Sequence, residues 1–399
     1  MEEWKRITLK DATDIIGDGL HGTPVFDSSG EYYFVNGNNL VNGIIDIKSD
    51  TKRTSFSEFE KYKKHLTART LLVSINGTIG NTAKYRGERI VLGKSACDLN
   101  IKPEYDLDYI YYVLCSEDFQ NSIKGLATGT TIKNVSLKTI REYSFCIPPL
   151  ERQKHIGHFL RLIDDKIALN NRINHNLEEQ AQALYKSWFI DFEPFKGGKF
   201  VDSGLGLIPE GWHVGTLSEI ADITMGQSPS GSSFNEDGRG IVFYQGRTEF
   251  GFRFPSIKLF TTEPTRYAEP HSVLMSVRAP VGDINVALVK CCIGRGLAAI
   301  TAKYNAYSFV FYTLKGKSSE LDLYNGEGTV FGSINRKDLE GLSVLIPPKL
   351  IIQRFNDCIK PIDDSIEIAC KEIVSLSYSR DSLLPKLMSG QLTFDALDC

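Results

Sequence analysis

The chain repeats itself about 200 residues apart, and each copy ends in an Ile-Pro-Pro run that opens a long heptad-patterned segment. Glu2, Trp4, Thr8, Leu9, Asp14 and Ile15 recur as Glu210, Trp212, Thr216, Leu217, Asp222 and Ile223, an offset of 208. Ser74 and Gly80 recur as Ser276 and Gly282, Tyr112 and Leu114 as Tyr312 and Leu314, and Gly129-Thr130 as Gly328-Thr329. By Ile147-Pro148-Pro149 and Ile346-Pro347-Pro348 the offset has fallen to 199. A drifting offset places the length differences in the loops of the globular parts, and a repeat of this size dictates two similar bodies and two similar rods.

The rods follow from periodicity. Ile156, Leu160, Ile163, Ile167, Asn170, Asn174, Leu177, Ala181, Leu184 and Trp188 alternate at spacings of 4 and 3, the a/d seam of a coiled coil. Adding 199 gives Phe355, Ile359, Ile362, Ile366, Ala369, Ile373, Leu376, Arg380, Leu383 and Leu387. Two seams of one pattern are most simply buried against each other. The stretch from 156 to 188 spans roughly 48 Å at about 1.5 Å per residue. Two arrangements fit its centre: Asn170 and Asn174 occupy the seam and fix register at a cost in stability, or Ile173 takes the seam and both Asn face water. Pro361 requires the second helix to begin near it or kink there.

The 399 residues suit two to four domains, and 42% hydrophobic with 24% charged residues is ordinary for a globular protein. Met1-Glu2-Glu3-Trp4-Lys5-Arg6 lacks the apolar core of a signal peptide, and no run approaches the roughly 18 apolar residues of a membrane span. The expected location is the cytoplasm. The eight cysteines (97, 115, 146, 291, 292, 358, 370 and 399) show no C-x-x-C pair and read as reduced, mostly core thiols. Lys+Arg against Asp+Glu is 19 to 19 over 1–150, 8 to 7 over 151–199, 13 to 15 over 200–346 and 6 to 8 over 347–399. No segment has the basic excess of a stand-alone nucleic-acid binder. DNA contact would need basic residues focused on one face, or phosphate neutralisation by a partner.

Each globular part reads as mixed α/β. Strands are expected at Leu71–Ile75, Arg89–Leu92, Ser144–Ile147, Val273–Val277, Ile284–Val289 and Leu342–Ile346, and helices at Asp108–Lys124 and Tyr307–Leu321. Phe195–Gly206 reads as a linker, and the Gly- and Asn-rich stretches as exposed loops. Catalytic signatures are missing. Gly87 to Gly93-Lys94-Ser95 resembles a phosphate loop, but five residues separate the glycines where four are required. There is no G-x-S-x-G, no H-E-x-x-H, and no tetrapeptide of the adenine-methyltransferase type. His155, His158 and His175 fall on the first rod and His21 and His271 in loops, without evident nucleophile or carboxylate partners.

Asp18-Gly19-Leu20-His21-Gly22-Thr23-Pro24, Gly226-Gln227-Ser228-Pro229, Ser276-Val277-Arg278-Ala279-Pro280-Val281-Gly282-Asp283, Ile293-Gly294-Arg295-Gly296 and the run at 147–154 resemble the DNA specificity subunit of type I restriction-modification systems. The resemblance covers essentially the whole chain. One departure is Pro348-Lys349-Leu350-Ile351-Ile352-Gln353, which lacks the Glu of the usual Pro-Leu-x-Glu-Gln pattern, so any partner contact of that Glu is missing or replaced in the second half. The resemblance implies an α+β chain with two mixed α/β target recognition domains, joined by two long antiparallel coiled-coil helices. The expected division is 1–146 and 200–345 for the recognition domains, 147–199 for the central helix and linker, and 346–399 for the C-terminal helix. It implies a non-catalytic chain that binds double-stranded DNA, two methyltransferase subunits and two motor-nuclease subunits. S-adenosylmethionine, ATP and Mg²⁺ belong to those partners, leaving this chain with no cofactor or metal of its own.

Half-sites on one face of B-DNA lie roughly 34 Å apart, a scale that a rod of this length can hold. Because the two recognition domains differ, the target is expected to be split and asymmetric. Base reading needs Arg or Lys for guanine and Asn or Gln for adenine, on loops entering the major groove. The candidates are Asn36, Asn38, Asn76, Lys94, Lys133 and Asn134 in the first domain, and Gln245, Arg247, Arg278, Arg295 and Asn335 in the second. The competing structural roles are turn formation for the Asn residues and fold-internal ion pairs for Arg278 and Arg295. Gly129-Thr130 and Gly328-Thr329 are expected to shape a turn. The exposed helix faces are the expected methyltransferase docking surface. A different class also fits the architecture: a two-headed adaptor whose domains bind protein or glycan while the rods set their spacing.

Overall fold

The computed structural model describes residues 4–129, 133–326 and 332–392. Thr130, Gly328, Thr329 and Cys399 lie outside the described residues. The chain forms two compact units, residues 1–167 with 375–399, and residues 168–374. Each unit therefore holds one globular part and a portion of both long helices.

In the first unit a four-stranded antiparallel sheet runs in the order Thr13–Asp18, Ala96–Ile101, Thr70–Ser74, Thr82–Lys84. A second sheet pairs Tyr32–Val35 in parallel with Ile90–Leu92, and Lys5–Thr8 closes against Ser144–Ile147. The second unit repeats the plan. Its four-stranded sheet is Ala221–Met225, Leu297–Ala302, Val273–Ser276, Ile284–Val286; Ile241–Tyr244 pairs in parallel with Cys291–Ile293, and His213–Thr216 closes against Ser343–Ile346.

The expected helix over Asp108–Lys124 is two helices, Leu107–Cys115 and Glu117–Gly125. Ser116 separates them because its backbone is extended and its side chain caps the second, accepting from the Phe119 N–H. Tyr307–Leu321 likewise divides into Tyr307–Gly316 and Ser318–Asp322. The stretch read as a linker contains a hairpin, Phe200–Ser203 with Gly206–Pro209, turning at Gly206 with φ of 94°.

The central helix spans Leu150–Phe189 and the C-terminal helix Lys349–Met388, 40 residues each and in register with the 199-residue offset. Both start directly after the double proline, whose missing N–H costs nothing at a helix start. Pro361 lies well inside the second helix, so it does not mark the start. In the second unit Asn170 meets Glu372, Asn174 meets Cys370 and Trp188 meets Phe355, so the helices run antiparallel there. Asn170 and Asn174 are buried and Ile173 is exposed, which resolves the two arrangements of the seam in favour of the asparagines.

The helices are walls of the domain cores rather than free rods. In the first unit Ile156, Leu160, Leu384 and Leu387 share one core with Tyr109–Leu114, and Leu383 packs on its edge. In the second, Ala181, Phe355 and Ile359 join Phe309–Tyr312, with Leu184, Trp188 and Ile362 half-buried against them. Ile366 and Ala369 are buried; Ile163, Ile167, Leu177, Ile373, Leu376 and Arg380 are half-buried. Seven cysteines are free thiols. Cys97, Cys291 and Cys292 are buried, Cys115 and Cys370 half-buried, and Cys146 and Cys358 exposed. Cys146 is not a core thiol because its strand alternates and the core face belongs to Phe145 and Ile147.

Candidate nucleic-acid interface

Backbone hydrogen bonds gather the loops of the first unit around one turn, Gly93-Lys94-Ser95. The Gly93 N–H donates to the Val35 carbonyl at 2.8 Å, Leu20 N–H to Leu92 at 2.7 Å, Lys94 N–H to Leu20 at 3.1 Å and Ile75 N–H to Ser95 at 2.9 Å. Val135 N–H reaches Ile75 at 2.8 Å and Gly77 N–H reaches Lys133 at 3.2 Å. Loops carrying Asn36, Asn38, Asn76, Lys94, Lys133 and Asn134 are thereby drawn together. A Cβ on Gly19 would collide with the carbonyl oxygens of Leu92 and Gly93, so glycine is required for this closeness.

The second unit repeats these bonds. Gly294 N–H donates to Tyr244 at 2.8 Å, Gln227 N–H to Ile293 at 3.0 Å, Val277 N–H to Gly296 at 2.9 Å, Ile334 N–H to Val277 at 3.1 Å and Ala279 N–H to Gly332 at 3.0 Å. This correspondence makes Asn36 and Gln245, Asn38 and Arg247, Asn76 and Arg278, and Lys94 and Arg295 structural equivalents. The two loop clusters share these backbone bonds and differ in the side chains they carry.

Asn38, Lys94, Lys133, Asn134, Gln245, Arg247, Arg278, Arg295 and Asn335 are exposed; Asn36 and Asn76 are half-buried. Asn36 is turned inward, its Oδ1 accepting from Ser95 Oγ at 2.9 Å. Asn76 and Asn134 face each other in an isolated antiparallel bridge, and Arg278 does the same with Ser333. Asn335 caps the helix Arg336–Glu340, accepting from the Asp338 N–H at 2.9 Å, just as Ser136 caps Leu137–Glu142. Arg247 is the candidate held by an internal carboxylate, paired with Asp283, whereas among the described residues Arg278 and Arg295 form no ion pair. Gly129 has φ of 106°, the left-handed geometry of a turn.

Ser95, Ser228 and Asp283 were not among the sequence candidates for base reading. Ser228 Oγ accepts from the Arg295 N–H at 3.3 Å and Asp283 orients Arg247. Aligning the two copies is the signal that finds them, since each sits beside a candidate at a repeat-equivalent loop. Two histidines do have carboxylate partners, His21 with Asp18 at 2.5 Å and His213 with Glu219 at 3.1 Å, both on exposed loops or edges. Gly93-Lys94-Ser95 joins two strands, so no helix follows the phosphate-loop look-alike. Among the described residues no group of three or more His, Cys, Asp or Glu could hold a metal, and no helix is long and apolar enough to cross a membrane.

The family model of the type I restriction modification DNA specificity domain matches residues 1–179 and again 209–377. The chain belongs to that family. A Methanocaldococcus jannaschii protein assigned as the MjaX type I restriction enzyme specificity subunit is 32% identical over 406 residues, covering 98% of this chain and 94% of that protein. The HindI specificity subunit of Haemophilus influenzae is 23% identical, covering 71% of this chain and 77% of that protein. The crystal structure of the S subunit of a type I restriction-modification system from M. genitalium shares the fold, with TM-score 0.62 and 20% identity over 97% of this chain and 96% of that one. The chain is thus a specificity component rather than a catalyst, with one DNA specificity domain in each half.

Proposed function

We propose that each recognition domain reads one half of a split, asymmetric double-stranded DNA target, and that the helix pair sets the spacing and docks two methyltransferase subunits. The observation that carries this reading is the pairing of equivalent loop positions with unlike side chains, Asn76 against Arg278 and Asn38 against Arg247. Equal backbones with unlike donors and acceptors suit two half-sites of different sequence. The near-zero charge balance of every segment fits a subunit whose phosphate neutralisation is shared. S-adenosylmethionine is carried by the methyltransferase subunits, and ATP and Mg²⁺ by two motor-nuclease subunits, in the cytoplasm.

The test is long-read mapping of N6-methyladenine in a methylation-free host that expresses the chain with its methyltransferase subunit. A split asymmetric motif with modified adenines on opposite strands is the expected result. An assembled complex that leaves the genome unmodified contradicts the proposal.

A further inference from the structure

A buried cation of the second unit lies outside the reading surface and outside every feature assigned above. Arg253 is 2% exposed and sits on the loop that follows Gln245 and Arg247. Its guanidinium pairs with Glu178 of the central helix and, at 2.8 Å, with Asp363 of the C-terminal helix. It also donates to Tyr312 Oη at 2.6 Å and lies 4.2 Å over the Phe311 ring. Lys315 supplies a second cation to Glu178 and Ser308 donates to Asp363 at 2.5 Å, so two cations balance two carboxylates. The loop has a further hold on the central helix through Phe252 against His175.

The first unit solves the same problem with the charges exchanged. Val286 N–H donates to the Arg253 carbonyl as Lys84 N–H donates to the Gly43 carbonyl, so the position of Arg253 is held there by a glycine. Lys84 takes the place over the aromatic ring, 4.3 Å from Tyr111, but pairs with Asp108 of its own domain. Asp108 then meets Arg161 of the central helix at 3.0 Å. Asp164, the equivalent of Asp363, accepts from Tyr112 Oη at 2.7 Å and pairs with Arg380 of the C-terminal helix at 2.8 Å. A domain cation meets helix anions in the second unit; a domain anion meets a helix cation in the first.

We propose that Arg253 is a positioning residue that keys the second recognition domain to its own stretch of the helix pair, through a lock whose polarity is opposite to that of the first unit. The two domains are then not interchangeable. On the helices of the first unit Arg253 would find Asp164 already occupied by Arg380, and Ser377 where Glu178 should be. On those of the second, Ala181 stands in place of Arg380, while Lys360 keeps the cation that Arg161 offers Asp108. An arginine without its carboxylate partners in a buried site is strongly disfavoured. Because the same loop carries Gln245 and Arg247, the lock ties the reading surface to the spacing element. This rests on the DNA-reading function proposed above.

The experiment uses the full chain in complex with its methyltransferase subunit and measures methylation of targets whose spacer is correct, or one base pair longer or shorter. With Arg253→Met, methylation of the wrong spacers should rise about tenfold relative to the correct one, about 1.4 kcal/mol of lost discrimination, with base preference in both halves unchanged. Arg253→Lys, which keeps the charge and loses the fork, should fall between. An assembled Arg253→Met complex with wild-type spacer discrimination overturns the proposal. So does a uniform fall across all spacers accompanied by a lower Tm, the mark of a merely structural residue. If the wild-type complex assembles and methylates no target, the DNA-reading function itself is wrong and the lock loses its role.

Discussion

Asn174 Nδ2 meets Cys370 Sγ at 3.4 Å across the helix pair of the second unit, while Asn174 Oδ1 is buried with no hydrogen-bond partner. A polar side chain at a seam position costs stability and holds register, and an orphaned buried acceptor carries a desolvation penalty. Asn174→Leu should therefore raise the unfolding free energy by about 1 kcal/mol, measured by denaturant titration. A loss of stability would mean that the side chain has a partner that outweighs its burial.

Asp98 presents a second burial cost. It is 2% exposed, its Oδ1 has no partner, and burial raises its carboxyl above the ordinary range despite Lys64. Since the folded form holds the proton more tightly than the unfolded chain, this group destabilises the fold as pH rises through and above the ordinary Asp value. Asp98→Asn should stabilise the chain at neutral pH and flatten its stability profile as pH rises above the ordinary Asp value. The second copy carries Ala299 at the equivalent position, which shows that the sheet does not require an acid there. Thermal melts across that pH range check the expectation.

Glu178 behaves in the opposite sense. Burial alone would raise it, but the Arg253 and Lys315 charges outweigh burial and hold its carboxyl below 4.5. Its contribution is fully present above that pH and lost as pH falls through the lowered folded value. Trp188 and Trp212, both in the second unit, should report this transition by fluorescence. Glu178→Gln should cost about 3 kcal/mol at pH 7, because Arg253 loses one of its two carboxylate partners in a buried site, and should remove that part of the acid lability.

Lys94 and Arg295 occupy equivalent turns and are both exposed. Arg295→Ala should weaken binding of the assembled complex by about 1–3 kcal/mol only for targets that retain the cognate second half, and Lys94→Ala should act through the first half alone. Competition binding at fixed salt with half-site variants measures each.

The helices were legible because their signal is local: the Ile-Pro-Pro starts and the 4-3 spacing mark both 40-residue elements in register. The strand Ala96–Ile101 was not. All six of its residues are buried, so it shows no alternation, and its polar Asp98 and Asn100 interrupt the apolar run that would mark a buried strand. Asn100 is satisfied only in the fold, donating to the His65 carbonyl at 2.7 Å. At the candidate interface the loops announced themselves through Gly and Asn, whereas the side-chain assignments depended on tertiary neighbours. Nothing local to Gln245-Gly246-Arg247 indicates that Asp283 will hold the arginine, and Gly251-Phe252-Arg253-Phe254 reads as an exposed loop although Arg253 is buried between two helices.

The most direct test of the two-reader account is to replace residues 1–146 with the corresponding domain of another specificity subunit and map N6-methyladenine in the complex. One half of the recognised motif should change, while the other half and the spacer stay as in the parent. A motif altered in both halves, or unchanged in both, would contradict the assignment of one half-site to each domain.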